Sequence, residues 1–236
     1  MVQPQSFQFL YHFRFKDRPV KNYNVSLASE SLSLISPALT VKTPDWVRLQ
    51  YKQCRGCPLK PDRHANCPIA VNIAELVESF KMIISYDDCL VICETKERIY
   101  SKKTSVMEGL TTIFGIIMAT SDCPVMEFLK PMARFHLPFA TIEETMVRAA
   151  SMYLLAQYFK DKDQPGIKFD FNVLERHYQK VQRVNEGLLE RITSISSEDA
   201  DVNAMVTLHS LSQFLSMEIG YNLNQLEYIF SGRFED

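Results

Sequence analysis

The sequence is short of glycine and has no long apolar run. Of its 236 residues 7 are glycine, and no two are spaced as in a GxGxxG or GxxxxGK[ST] loop. The usual loops that cradle the phosphates of dinucleotides and nucleoside triphosphates are therefore absent. The longest apolar stretch, about residues 113–119, is far shorter than the roughly 20 residues that span a bilayer, so we expect no membrane span.

Targeting and catalytic motifs are missing as well. The N-terminus has no basic region followed by an apolar run, so we expect a cytoplasmic protein. No HExxH, GxSxG or paired-carboxylate pattern occurs, so no named reaction is indicated. A net charge of −2 at pH 7 argues against attraction of the whole protein to nucleic acid or to an anionic membrane.

The chain does contain a dense cluster of metal-binding side chains in a loop at residues 54–67. Cys54, Cys57, His64 and Cys67 lie within fourteen residues, in a segment with prolines and no apolar period. Such a segment cannot bury a hydrophobic face, so something else must fix its shape. In a reducing cytosol, close cysteine pairs are more often metal ligands or redox thiols than disulfides.

The spacing of these four residues favours zinc. A CxxC turn presents two thiolates to one ion, and His64 with Cys67 supplies a second pair. Three sulfurs and one nitrogen leave no open coordination position, so the sequence predicts a closed, structural zinc site. The competing interpretation is unliganded thiols on a solvated loop. We therefore expect a metal-binding regulatory or scaffold protein.

Cysteine–proline dipeptides support an alternative function. Proline favours the first helical position, which would place Cys67 and Cys123 at helix N-caps and lower the pKa of their thiols. This predicts a thiol-based redox sensor, or additional ligands for an iron–sulfur cluster or a haem-responsive Cys-Pro. The competing interpretation of Cys123 is a small buried cap.

A possible second site lies further along the chain. Cys123, Arg134 and His136 fall in a proline-bounded segment between predicted core helices. One interpretation places them at a shared pocket, where His136 would complete a metal site with Cys123, or where an enzyme would have its active site. A satisfied, partly buried histidine is the competing interpretation of His136. Basic and aromatic residues near the cysteine loop are compatible with nucleic-acid binding, but the acidic overall balance favours a solvated loop.

Alternating aromatic residues predict two β-hairpins. Odd positions from Phe7 to Phe15 are all aromatic, residues 16–19 form a turn, and residues 20–27 alternate again. We predict a second hairpin over residues 89–95 and 98–101. The side chains of Cys89 and Cys93 are expected to lie in its apolar core. A two-stranded hairpin alone is marginally stable, so we expect both hairpins in one antiparallel sheet.

Helical periodicity accounts for most of the remaining chain. Helices are predicted at residues 68–84, 105–121 and 141–159, with a short one at 124–130 that ends before Pro131. Capping boxes begin the second and third of these helices. The third is apolar nearly all round, which predicts a position in the centre of the core.

A charged linker at residues 160–168 precedes a predicted C-terminal helical hairpin. Apolar residues recur at alternating spacings of three and four over residues 171–195, interrupted by Asn185, and residues 198–218 carry a matching stripe. We expect the two stripes to face each other within one chain. The alternative is self-association, or binding of a protein partner, through these helices.

Together these elements predict an α+β fold, mainly helical with a small antiparallel sheet of aromatic hairpins, plus a C-terminal helical hairpin. The expected domains are residues 1–160, with the metal-site loop 54–67, and residues 170–236.

The segments Cys57-Pro-Leu, Cys67-Pro-Ile-Ala and Arg134-Phe-His-Leu-Pro-Phe-Ala resemble a family of bacterial proteins of unknown function. This resemblance covers about residues 5–160 and implies a bacterial cytosolic protein. It gives no indication of an activity, a cofactor or a partner.

Overall fold

A four-stranded antiparallel sheet forms one layer of the protein. The computed structural model describes residues 6–35, 44–163, 170–195, 200–221 and 223–230. The sheet has the order β2-β1-β3-β4 and is built from two hairpins that meet at its centre. Its strands are β1 (Ser6–Arg14), β2 (Lys21–Ala28), β3 (Asp88–Glu94) and β4 (Ile99–Ser105). The predicted sheet of two hairpins is confirmed.

Helices make up most of the remaining described structure. The α-helices are α1 (Pro68–Phe80), α2 (Val106–Thr120), α3 (Lys130–Arg134), α4 (Ile142–Asp163), α5 (Phe171–Thr193) and α6 (Ala200–Gly220). Short 3-10 helices lie at residues 45–47, 127–129 and 224–230. This arrangement confirms the predicted α+β class and its mainly helical character.

The aromatic alternation of β1 determines which face of the sheet is covered. Phe9, Tyr11 and Phe13 are buried, whereas Gln8 and Arg14 on the opposite face are exposed. The Phe13 ring packs edge-on against Phe80 of α1, with 5.0 Å between the ring centroids. A period of two therefore separates a helix-covered face from a solvent face.

The helix at the centre of the core is α2, and the prediction that the helix after Thr141 lies there is wrong. Most of α2 is buried, including Leu110, Ile113 and Phe114. In α4, by contrast, Leu155 and Tyr158 are about half exposed. Hydrophobic residues all round a helix do not show which side is covered by neighbours, so the pattern overestimated the burial of α4.

The two predicted capping boxes differ in the structure. At α4 the box is reciprocal: the Thr141 N–H donates to Glu144 at 2.7 Å and the Glu144 N–H donates to the Thr141 hydroxyl at 3.1 Å. At α2 the Ser105 hydroxyl accepts from the Glu108 N–H, but the Glu108 carboxylate binds Lys102 and Thr104 instead.

Pro131 lies in the first turn of a helix, so the predicted helix at 124–130 that ends before Pro131 is wrong. A 3-10 turn occupies residues 127–129, and α3 starts at Lys130 with Pro131 in its first turn. Proline is well tolerated there because the first-turn N–H groups have no partner within the helix.

The C-terminal helices α5 and α6 pack as the predicted hairpin within one chain. The predicted seam of α5 is buried at Leu174, Tyr178, Val181, Asn185, Leu188 and Ile192. The Asn185 side chain makes the expected polar contact, donating to the Leu208 carbonyl at 3.3 Å and the Ser212 hydroxyl at 3.2 Å. The predicted cap at 196–199 and most of the linker, residues 164–169, lie outside the described residues.

Part of this hairpin shares the main hydrophobic core. Val184, Leu188 and Met205 belong to the same buried cluster as the aromatic face of β1. The outer half of the hairpin contributes to a second cluster with α4, which includes Met146, Tyr153, Leu174 and Leu215. The predicted domain division at residues 160 and 170 stays a prediction.

A buried arginine fastens α5 to the segment that precedes the cysteine loop. Arg191 is 0% exposed. Its Nη1 donates to the carbonyls of Trp46 at 2.6 Å and Arg48 at 2.8 Å, and its Nη2 donates to the carbonyl of Leu49 at 3.0 Å. A buried charge is costly unless its polar atoms are paired, and these three carbonyls pair both terminal nitrogens, whereas the buried Nε has no hydrogen-bond partner within the described residues.

We predict that Arg191→Met lowers the free energy of unfolding by about 2 kcal/mol or more. Methionine fills similar space but leaves the buried carbonyls of Trp46 and Leu49 without this donor, at a cost of about 1–3 kcal/mol each, whereas the Arg48 carbonyl still accepts from the Tyr51 N–H. Chemical denaturation measures the change. Arg176→Met, at an exposed position of the same helix, is the control and should stay within about 0.5 kcal/mol. Equal losses in both variants would contradict the proposed role of Arg191.

Candidate metal centre

Four cysteines from three parts of the chain line one small pocket. Cys54, Cys57, Cys67 and Cys123 border a cavity of about 80 Å³. The pocket lies between the cysteine loop, the start of α1, the turn after α2, and one face of α5. His64 is exposed and is not among the residues that line the pocket.

A tight turn positions the first two cysteines. The Cys57 N–H donates to the Cys54 carbonyl at 3.0 Å, which closes the turn. Gly56 has φ +78°, a left-handed conformation that glycine adopts without steric cost. The sequence Cys-Arg-Gly-Cys therefore specifies a backbone that brings two thiols to one side.

Cys67 is held where the loop joins α1. It is the N-cap residue of α1, with Pro68 in the first turn, as the Cys-Pro dipeptide predicted. Its N–H donates to the Val47 carbonyl at 2.8 Å, and the Leu49 N–H donates to the Ala65 carbonyl at 2.9 Å. Residues 47–49 thus pair with residues 65–67, and the same segment supplies carbonyls to Arg191.

Cys123 is placed by a turn at the end of α2. Asp122 has φ +55°, which redirects the chain after the helix ends at Thr120. Lys130 fixes this turn, because its Nζ lies 2.9 Å from Asp122 and 2.9 Å from Glu127. The thiol of Cys123 is thereby buried next to the cysteine loop, although 56 positions separate it from Cys67 in the sequence.

Helix α5 closes the pocket and contacts the loop closely. Lys180, Arg183 and Val184 line the pocket. The Cys54 Sγ lies 3.8 Å from the Val184 carbonyl oxygen, and the Lys52 Nζ donates to the Glu190 carbonyl at 2.9 Å. These contacts place the loop directly against the helix.

Burial keeps at least two of these thiols protonated in the metal-free protein. Burial, together with the neighbouring Cys67, Cys57 and Cys123, raises the pKa of Cys54 to about 12, although the Arg191 guanidinium acts to lower it. Burial also raises the pKa of Cys123 to about 11, although the backbone N–H groups of Val125 and Met126 lower it. The prediction of a lowered pKa is therefore wrong for Cys123.

The structure brings together three of the four predicted ligands and adds Cys123 to them. In their present orientations the side chains do not form a coordination shell: within the described residues, no group of three or more His, Cys, Asp or Glu is positioned to hold a metal ion. Zinc binding by Cys54, Cys57, His64 and Cys67 thus stays a prediction. The sequence signal for Cys123 was its Cys-Pro dipeptide, which indicated an additional ligand for a cluster. Nothing in the sequence indicated that His64 lies outside the pocket.

The predicted second site is divided between two cavities. Arg134 and His136 line a larger cavity of about 1040 Å³, whereas Cys123 lines the four-cysteine pocket. His136 Nε2 is hydrogen-bonded to the Tyr11 hydroxyl, and burial lowers the pKa of His136 to about 3. His136 is therefore neutral at pH 7. Cys89 and Cys93 are buried in β3, as predicted.

The chain belongs to the family defined by the domain of unknown function DUF6901, whose model matches residues 9–231. This agrees with the resemblance inferred from the sequence segments, and it carries no activity. No curated protein and no solved structure shows a significant match. Among the residues that the structure describes, no helix is both long and apolar enough to cross a membrane.

We predict that Gly187→Ala displaces the cysteine loop from α5. A Cβ at this position would lie 2.6 Å from the Cys54 Sγ and 3.1 Å from its Cα. The clash should cost about 1–3 kcal/mol, more than the gain of about 1 kcal/mol in helix propensity. Thermal and chemical denaturation measure the balance.

The matched control for this variant is Gly115→Ala in α2. The nearest atom to a Cβ there is the Leu208 Cδ2 at 3.8 Å, an ordinary van der Waals distance. This substitution should be neutral or stabilising. If Gly187→Ala is as stable as Gly115→Ala, the close contact between the loop and α5 is refuted.

Proposed function

We propose that this protein is a metal-binding regulatory or scaffold protein of the bacterial cytosol, with zinc held by Cys54, Cys57, Cys67 and Cys123. The supporting observation is that these four residues line one pocket although they come from three parts of the chain. Four cysteine ligands are a standard shell for structural zinc.

The proposed ligand set differs from the sequence prediction by one residue. Cys123 takes the place of His64, which is exposed and outside the pocket. A cysteine sulfur moves between three staggered positions by rotation about one side-chain bond, and the proposal requires such rotations to bring the four sulfurs to a common centre. Metal binding also removes protons from the thiols, so occupancy should fall as the pH is lowered.

Positive charge around the pocket opposes the effect of burial on the thiols. Arg55, Lys180 and Arg183 line the cavity, and the charge of Arg191 acts to lower the pKa of Cys54. Four thiolates around a divalent ion carry a net negative charge, which these cations would partly neutralise. The electrostatic setting therefore suits a bound metal–thiolate centre.

A centre with four protein ligands has a structural role. No coordination position remains for a substrate or a water molecule, so the site itself supports no catalysis. A bound metal would connect the cysteine loop, the start of α1 and the end of α2, and it would hold them next to α5. We propose that the protein acts through a protein partner or self-association of the C-terminal helices. Because the seam between α5 and α6 is buried within one chain, such a contact would use the outer faces of these helices.

An iron–sulfur cluster is the second candidate, and the pocket size favours it. The same four thiolates suit such a cluster. A cavity of about 80 Å³ exceeds the 10–15 Å³ of one water-sized sphere and leaves room for more than a single ion. A thiol-based redox sensor has less support, because sensor thiols have a low pKa, whereas burial raises the pKa of Cys54 and Cys123.

The test is metal analysis of protein purified anaerobically without chelator. We expect stoichiometric zinc in the parent protein and strongly reduced zinc in the four single variants Cys54→Ser, Cys57→Ser, Cys67→Ser and Cys123→Ser. Each variant should also melt at a lower temperature, because a ligand that binds the folded state stabilises it.

Two substitutions serve as controls. His64→Ala and Cys89→Ser should retain the metal, since His64 is exposed and Cys89 is buried in β3 away from the pocket. Metal loss in His64→Ala with retention in Cys123→Ser would restore the ligand set predicted from sequence. A brown protein that contains iron and labile sulfide would identify a cluster, and metal-free parent protein would reject both candidates.

A further inference from the structure

The larger cavity is a cleft at the edge of the sheet, which we call the edge cleft. β3 pairs with β1 only from Leu10 onward, because the chain turns away at residues 95–98. The first residues of β1 therefore border an open space of about 1040 Å³. The edge cleft is lined by residues 6–10, 94–98 and 134–137, together with Tyr100 and Arg148.

One part of the edge cleft is apolar. Phe7, Phe9 and Leu137 contribute side chains that are buried or half-buried, and Phe135 is more exposed. Cavities of this size with apolar walls and a few convergent polar groups are typical small-molecule sites. The class of ligand then depends on the polar groups.

Two guanidinium groups in the edge cleft lack a carboxylate partner. Arg148 is half-buried on α4, and its Nη2 donates to the carbonyls of Met132 at 2.9 Å and Phe135 at 2.8 Å. Arg134 lies over the Phe7 ring, 3.5 Å from its centroid. Within the described residues, neither arginine forms an ion pair with Asp or Glu.

Carbonyls and aromatic faces orient these cations without neutralising them. Burial lowers the pKa of Arg148, although Glu144, four residues earlier on α4, and the hydroxyls of Tyr178 and Tyr100 act to raise it. The charge of Arg148 is therefore only partly compensated. Burying a charge partly without a counter-ion costs free energy. Binding of an anion beside the guanidinium would offset that cost.

The other charged groups leave the edge cleft positive. Lys96 and Arg98 add two basic side chains, and Glu94 and Glu97 add two acidic ones. Glu94 lies 3.7 Å from the His12 ring, so part of its charge is directed to the solvent face of the sheet. Four basic groups therefore face two acidic ones, and the neighbouring His136 is neutral.

We propose that the edge cleft binds a small amphipathic carboxylate, whose carboxyl group pairs with Arg134 and Arg148 and whose apolar body contacts Phe7, Phe9 and Leu137. The planar Arg134 guanidinium matches a carboxylate through two parallel hydrogen bonds, and Arg148 would add a single hydrogen bond from Nη1, because its Nη2 already donates to two carbonyls. The adjacent rings suit an aromatic or aliphatic body. This site is independent of the proposed metal centre.

The test is isothermal titration calorimetry with hydrocinnamate, its neutral amide and inorganic phosphate as probes. Hydrocinnamate should bind about tenfold more tightly than the amide, because an ion-paired hydrogen bond is roughly twice as strong as a neutral one. Equal binding of acid and amide, or no binding of hydrocinnamate at millimolar concentration, would overturn the proposal. Tighter binding of phosphate than of hydrocinnamate would overturn the assignment to an amphipathic carboxylate.

Three variants connect the binding to the named residues. Arg134→Gln and Arg148→Gln should each weaken hydrocinnamate binding by about tenfold, whereas Arg176→Gln, exposed on α5, should bind like the parent. Arg148 also donates hydrogen bonds to two carbonyls. Weaker binding by Arg148→Gln therefore counts as evidence for the site only if this variant melts at the same temperature as the parent. Arg134→Gln leaves those hydrogen bonds intact and decides the result alone: unchanged affinity in this variant refutes the site.

Discussion

The candidate metal centre depends on one buried interaction, the contact of the Arg191 guanidinium with three backbone carbonyls. These carbonyls belong to residues 46, 48 and 49. Residues 47–49 pair with residues 65–67 and so position Cys67 at the start of α1. The same interaction holds α5 against the cysteine loop, where Gly187 permits contact with Cys54. A single charged side chain thus links the helical hairpin to the loop that would bind metal.

The charge state of the pocket follows from its burial. In the metal-free protein the raised pKa values of Cys54 and Cys123 keep these thiols neutral at pH 7, so they do not repel each other. A metal ion would change this balance by displacing protons and drawing the sulfurs together. The basic residues on α5 would then lie beside a negative centre. Metal binding and docking of α5 on the loop should therefore stabilise each other.

Local patterns predicted the fold better than the site. The aromatic alternation of β1 and the seam of α5 predicted correctly which side chains are buried. The position of a residue in a strand or helix determines the face on which its side chain lies. The pattern failed for α4, whose apolar outer face has no neighbour among the described residues. Cys123 was separated from the loop by the whole of α1, β3, β4 and α2, so its approach depends on tertiary packing. Arg191, adjacent to the apolar seam, has no sequence signal that distinguishes it from a solvated arginine.

The most direct test of the four-cysteine centre is the number of sulfur ligands on the bound metal. X-ray absorption at the metal edge of the purified protein measures it without a variant. The account predicts four sulfur ligands, at about 2.3 Å if the metal is zinc, with no nitrogen ligand. Three sulfurs and one nitrogen at about 2.0–2.1 Å would instead indicate His64 as the fourth ligand. A shell dominated by oxygen would contradict a cysteine centre altogether.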